Sequence, residues 1–230
     1  MIPVLPLPLD STPAPDLNAA IDRTAYDGYI FDCDGTLADS MPLHYLAWCE
    51  SLAGKLGRPS TEFSEELFYR CGGMPARHIV EMLNREHGYN LPPEKTAHDK
   101  ELDFIQLLPN VGPIPEVVAI LRSLAPPARV IVASGGLTGI VLDTLKNIGI
   151  AVGPNEIVQH VIGSDQIKRG KPHPDLFLHA AEVIGIPAAR CLVFEDAEPG
   201  FRAAEAAGMA YIDVRPYRQN LPAAAKYGIK

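Results

Sequence analysis

The feature that most constrains this chain is a short apolar run, Tyr29-Ile30-Phe31, that ends at two carboxylates two residues apart, Asp32 and Asp34. The run reads as a buried strand, and Gly35-Thr36 as the loop leaving it. Ligands of an open parallel sheet bind beyond the carboxyl ends of its strands, so both acids belong at the lip of such a site. A turn beginning at Asp34 frees its carbonyl and its carboxylate for separate tasks. Taken alone, Asp-x-Asp-Gly is equally a polar turn.

Three further segments complete the pattern of a phosphate site, two of them apolar runs followed by chemistry. Val130 to Ala133 leads into Ser134-Gly135-Gly136, whose glycines let backbone approach an anion, and a helix starting near Leu137 aims free N–H groups the same way. Lys171 stands in a proline-bounded loop, Arg169-Gly170-Lys171-Pro172-His173-Pro174, ahead of an amphipathic helix predicted from Asp175 to Ile184. Cys191 to Phe194 ends in Glu195-Asp196, with a helix expected from about Pro199 to near Gly208. Each has a plain alternative: an ordinary strand-to-helix turn, a solvated lysine, a helix cap. Their joint order at successive strand ends favours a phosphate site.

The set Asp32-x-Asp34-Gly35-Thr36, Ser134, Lys171 and Glu195-Asp196 resembles the haloacid dehalogenase-like superfamily of phosphohydrolases and phosphomutases. The likeness is closest to the subgroup of β-phosphoglucomutase and the bacterial fructose-1-phosphate phosphatases. Asp39-Ser40 through His44-x-x-x-Trp48, Lys171-Pro-x-Pro-Asp-x-Phe177 and Val193-Phe-Glu-Asp-Ala-x-x-Gly200 carry that likeness, with Gly208-Met through Asp213-Val-Arg215. The resemblance implies an α/β fold: a Rossmann-like parallel sheet flanked by helices, with a four-helix cap inserted after the first strand. It implies a core over 25–38 and 111–230 and the cap over 39–110, with residues 1–24 left as an N-terminal arm.

The resemblance also assigns roles. Asp32 is the nucleophile that forms an aspartyl-phosphate, and the Asp34 side chain is the acid and base. Mg2+ would be held by Asp32, the carbonyl of Asp34, Asp196 and Glu195, and oxygen ligands suit that ion. Ser134, Gly135 and Lys171 would hold the phosphoryl oxygens. Metal contact would keep Asp32 ionised, while an off-metal, partly desolvated Asp34 would keep its proton.

Residues 41–108 carry helical signals, with helices expected over 61–69, 75–86 and 93–107 after a first one containing Leu43, Ala47 and Leu52. The hinges would be 38–40 and 109–112. His44 either faces the site or is a partly buried neighbour of Trp48. The loop from Cys71 to His78 corresponds to the cap specificity loop, so Gly73 and Arg77 are substrate candidates, Arg77 having a salt bridge to Glu81 as its alternative. His173 and Arg215 read as structural.

The chain of 230 residues, 47% hydrophobic, is long enough to bury such a core. A formal charge of −8 without a basic run argues against nucleic acid as a partner. No segment reads as a membrane span. Cys33, Cys49, Cys71 and Cys191 show no metal-like pairing, which favours a reducing compartment, and the cytoplasm is expected. The proline-rich stretch Met1 to Asn18 reads as an arm or surface strap and lacks signal-peptide character. The expected function is therefore Mg2+-dependent hydrolysis of small phosphorylated metabolites, sugar phosphates foremost, by a monomer. A β-phosphoglucomutase-like mutase is the alternative, with a non-catalytic phosphometabolite-binding regulator third. Mutases of the group place an arginine near the position of Pro75. Dehalogenases and phosphonatases resemble this core but lack the acid at the Asp34 position.

Overall fold

In a computed structural model, which describes residues 16–218, four of the five strands stand where apolar runs meet polar loops. The strands are β1 (Gly28–Phe31), β2 (Arg129–Ala133), β3 (His160–Ile162), β4 (Cys191–Glu195) and β5 (Ala210–Asp213). All neighbours pair in parallel, in the order β3-β2-β1-β4-β5. Every residue of β1 is buried, as a central strand covered on both faces requires. Alternation divides its side chains. Tyr29 and Phe31 join Val130, Val132, Leu192 and Phe194 in one core, while Ile30 joins Ile131, Ala133 and Val193 in the other. Phe31 and Phe194 stack with centroids 4.3 Å apart across the β1–β4 pair.

Between β1 and β2 the chain forms α1 (Met41–Leu56), α2 (Glu65–Arg70), α3 (Ala76–His87), α4 (Pro93–Leu107) and α5 (Pro115–Ser123). The first three helices and the loops beside them carry an apolar cluster of their own, including Trp48, Phe63, Phe68, Val80 and Leu83, while Phe104 of α4 joins the core that contains Tyr29. The remaining helices, α6 (Thr138–Asn147), α7 (Asp175–Ile184) and α8 (Glu198–Ala206), each follow a strand or its loop. The helix expected over 61–69 begins later, at Glu65. Ser64 takes extended backbone and its Oγ accepts from Leu67 N, so the chain caps there instead.

The two segments joining the four helices to the sheet run side by side. Asp39 N donates to Gly112 O at 2.9 Å and Ile114 N to Leu37 O at 2.8 Å. Residues 1–15 of the expected arm lie outside the described residues. Farther on, Leu17 and Ile21 are buried in the core that contains Tyr29. No described helix is long and apolar enough to cross a membrane.

Candidate active site

The loop after β1 folds back on one acceptor. Leu37 N and Ala38 N both donate to Cys33 O at 2.9 Å, and Gly35 N donates to Ala38 O at 2.8 Å. This turn separates the two acids. Asp32 continues the strand and is buried. Asp34 sits in the turn, where its Oδ1 accepts from Ser40 Oγ at 2.6 Å and lies 3.2 Å from His44 Nε2. Gly35 takes φ +84°, and a Cβ there would collide with the Asp196 carboxylate, so the loop passes that acid closely enough to require glycine.

Lys171 reaches the same point from the loop before α7. Its ammonium is buried and donates to Asp32 Oδ1 at 2.7 Å and to Glu195 Oε1 at 2.9 Å. Ser134 approaches from the end of β2. Its Oγ accepts from Gly136 N at 3.1 Å and stands 3.4 Å from Asp34 Oδ2. Glu195 also accepts, through Oε2, from Asp196 N. Asp196 is met by Arg218, whose guanidinium bonds both its Oδ2, at 3.1 Å, and the carbonyl of Gly35.

Among the described residues, Asp32, Glu195 and Asp196 offer carboxylate oxygens within 4.8 Å of one another, all buried. Burial and the neighbouring Glu195 push Asp32 well above the usual carboxylate range, and the same two causes push Asp196 up to about 7. Burial disfavours the Lys171 ammonium, but Asp32 and Glu195 outweigh it and raise its pKa. One lysine and one arginine thus leave the three acids short of positive charge. A hard divalent cation such as Mg2+ fits this all-oxygen donor set and its charge deficit.

Asp34 corrects an expectation. It was expected to keep its proton, yet its carboxyl is lowered to about 2. Burial works against that, but His44, Ser40 and the nearby Lys100 charge overcome it. In the ligand-free site the order of the pair is therefore reversed, with Asp34 the readily ionised acid and Asp32 the reluctant one.

The helical insertion supplies two side chains beside Asp34. His44 is buried, stacks on Phe104 at 3.6 Å and so both faces the site and packs in the interior. Its Nδ1 lies 2.8 Å from the ammonium of Lys100, a buried residue of α4. An ammonium can only donate, so Nδ1 accepts and Nε2 carries the hydrogen given to Asp34. Lys100 was not among the sequence candidates. Its signal was there: Thr96, Lys100 and Phe104 recur every four residues on the buried stripe of α4, where a lysine is out of place.

The loop between α2 and α3 closes over the phosphate side. Gly73 has φ +77°, a Cβ on it would lie 2.9 Å from Lys171 Cδ, and one on Gly135 would lie 2.9 Å from Gly73 O. The inner chamber so enclosed is small, about 90 Å3, and Asp32, Asp34, Ser134, Lys171 and Asp196 line it. Arg77 stays outside this chamber. It is half exposed, 3.7 Å from Glu94 and 3.1 Å from His78 Nε2, so its ion pair differs from the alternative one with Glu81. Arg215 binds Asp213 and covers the Phe201 ring, a structural arrangement as expected.

The raised acids have a consequence for stability. An acid whose folded pKa exceeds its ordinary value, 3.8 for Asp196, stabilises the fold below that value and loses the contribution as pH rises through the folded pKa. The metal-free chain should therefore lose stability between about pH 4 and 7 through Asp196, by up to ~1.4 kcal/mol per pH unit. Added Mg2+ should raise Tm more at pH 8 than at pH 5 in thermal melts. An equal rise at both would contradict the charge-deficient cluster.

A sheet with acids at the ends of two adjacent strands, a buried lysine between them and a helical insertion after the first strand defines a class of hydrolase. The sequence model of the haloacid dehalogenase-like hydrolases matches residues 26–208, and the chain belongs to that family. It is 33% identical to fructose-1-phosphate phosphatase YqaB of Escherichia coli (strain K12) over 191 residues, 83% of this chain and 97% of that protein. It is 27% identical to the β-phosphoglucomutase of Bacillus subtilis (strain 168), across 80% of this chain and 81% of that one. Among solved structures, a hydrolase from Pseudomonas syringae superposes with a TM-score of 0.72 at 25% identity, covering 87% of this chain and 90% of its own.

Proposed function

We propose that this enzyme is a Mg2+-dependent phosphatase of small phosphorylated metabolites, sugar monophosphates foremost, that works through an aspartyl-phosphate on Asp32. The observation that carries the reading is the buried meeting of Asp32 with Lys171 and two further acids at the floor of a small chamber. Asp32, Glu195, Asp196 and the Asp34 carbonyl would hold the ion. When bound, it offsets the repulsion between an anionic nucleophile and an anionic ester.

Lys171, Ser134 and the backbone at Gly135 orient the phosphoryl group and hold Asp32 in line. Asp32 forms its bond to phosphorus as the ester bond breaks, and Asp34 gives its proton to the departing oxygen. Asp34 begins ionised in the ligand-free site, so it takes up a proton from solvent as the substrate binds. A dianion beside it opposes its charge and raises its pKa. In the second half, Asp34 takes a proton from water as that water attacks phosphorus, and Asp32 is released. His44, donating through Nε2, keeps Asp34 aimed throughout.

Hydrolysis is favoured over phosphomutation by the placement of Arg77. A mutase must grip a second phosphate at the cap, and here Arg77 is engaged by Glu94 and His78 while Pro75 packs against Gly170. The intact charge arrangement around Asp32 speaks against a regulator that only binds. Four cysteines without disulfides fit a reducing compartment, in keeping with the cytoplasm.

The test is phosphate release from a panel of sugar and short-chain phosphates, with Mg2+ and with chelator. Release should need the metal and fall to background with chelator. Metal-independent release would contradict the reading. Conversion of β-glucose-1-phosphate to glucose-6-phosphate with little free phosphate would put the mutase first.

A further inference from the structure

Beyond β5 the chain turns back toward the three acids. Val214 is fully buried and donates its N–H to Glu195 O at 2.9 Å, and Tyr217 N closes a short turn on Val214 O at 3.0 Å. Tyr217 packs against the core that contains Tyr29. These contacts anchor the backbone just ahead of Arg218 and return its side chain to Asp196, 22 positions earlier.

One nitrogen makes the contact. Arg218 Nη1 donates to Asp196 Oδ2 at 3.1 Å and to the carbonyl of Gly35. The guanidinium is largely buried, its side chain 14% exposed, and its Nε has no partner among the described residues. An arginine that fixes the orientation of a carboxylate grips both oxygens through two parallel bonds. That fork is unused here, and Oδ1 takes no bond from Arg218. What the arginine brings to Asp196 is chiefly charge.

Charge is what this corner lacks. Lys171 is shared between Asp32 and Glu195. Burial and Glu195 push the Asp196 carboxyl up, and Arg218 counters them more than Lys171 does. With all five groups ionised, three acids face two cations, a deficit of one charge. A divalent cation turns that deficit into an excess of one, and a phosphate dianion turns it back. Without Arg218 the same acids would be two charges short, a better place for Mg2+ alone and a worse one for Mg2+ with phosphate. Asp34, His44 and Lys100 are common to both counts.

We propose that Arg218 is the built-in counter-charge of the cation site, lowering its affinity for Mg2+ alone and raising its affinity for the phosphate group that follows. The inference rests on the Mg2+-dependent phosphatase reading and adds to it a residue outside the strand-end motifs. The site is thereby tuned to the metal and phosphate together rather than to the metal by itself. Even at the dielectric of water, a unit charge a carboxylate's width from a divalent ion changes its affinity by roughly tenfold. An arginine that only held Asp196 in place would act with the opposite sign on the metal, because its loss would loosen a ligand.

The experiment measures Mg2+ binding by calorimetry without phosphate, then inorganic phosphate binding at saturating Mg2+, for the wild type, Arg218→Gln and Arg218→Lys. Arg218→Gln should bind Mg2+ about tenfold more tightly and phosphate about threefold or more weakly. Arg218→Lys keeps the charge and loses only the unused fork, so both affinities should stay within about twofold of the wild type. Weaker or unchanged Mg2+ binding by folded Arg218→Gln overturns the inference and makes Arg218 a structural support of Asp196. Tighter Mg2+ with unchanged phosphate overturns its phosphate half. If the glutamine variant does not fold, the lysine variant decides, since a change of about tenfold in its Mg2+ affinity would show that charge is not what Arg218 supplies. A wild type that binds no Mg2+, with phosphate or without, defeats the metal-dependent reading itself, whatever the variants do.

Discussion

Asp32→Asn is expected to abolish turnover, by about 10^4-fold or more in kcat, while leaving the protein folded. The amide is nearly isosteric but is a poor nucleophile, so the covalent step has no substitute donor. The same change should raise the Tm of the metal-free chain. Asp32 is buried beside Glu195, Asp196 and Asp34, and its ionised form is disfavoured there. Removing a strained charge stabilises a fold while removing its function. Near-native turnover in a contaminant-free preparation would mean that another group attacks phosphorus.

Lys171→Met should fail in both respects. The ammonium is the shared partner of Asp32 and Glu195 inside the protein, at 2.7 and 2.9 Å. Its loss leaves two buried acids without their cation, a defect that costs about 3–5 kcal/mol. In a chain of this length that corresponds to a fall in Tm of roughly 10 °C. Turnover should drop by about 10^3-fold or more, because the transferring oxygens lose their fixed positive partner. Mg2+ should recover part of the stability, since it supplies charge to the same acids, but not the turnover. A variant with unchanged Tm in chelator would show that Lys171 does not compensate those acids.

The legibility of the site followed from where its residues stand. Asp32, Ser134 and Glu195 each close an apolar run, so strand period and loop signals alone place them together at one sheet edge. Lys171 precedes a helix whose observed ends match the sequence pattern, Asp175 to Ile184. Lys100 and Arg218 were not legible in this way. Lys100 meets His44 across 56 positions, and a lysine within a helix is ordinarily solvated. Arg218 comes after the last strand, with no periodic element to direct it. The strand β3 is three residues long and begins on an exposed histidine, too short to show alternation.

The protonation order of the two aspartates shows a different limit. The family resemblance implies that the Asp34 carboxyl stays off the metal, but its charge state depends on His44 and Ser40, whose approach follows from how α1 begins. Local sequence identifies the acid. Tertiary contacts decide whether it holds a proton.

The covalent step can be isolated in Asp34→Asn by using p-nitrophenyl phosphate, whose leaving group departs as an anion and needs no proton. With Mg2+ present, this variant should release close to one nitrophenolate per protein in a rapid burst, then turn over slowly. Acid quench and mass analysis should find one phosphoryl group on the peptide bearing Asp32, because the acid–base group needed to release it is gone. Release without a burst and without phosphorylated Asp32, or a phosphoryl group on any other residue, would contradict the aspartyl-phosphate mechanism.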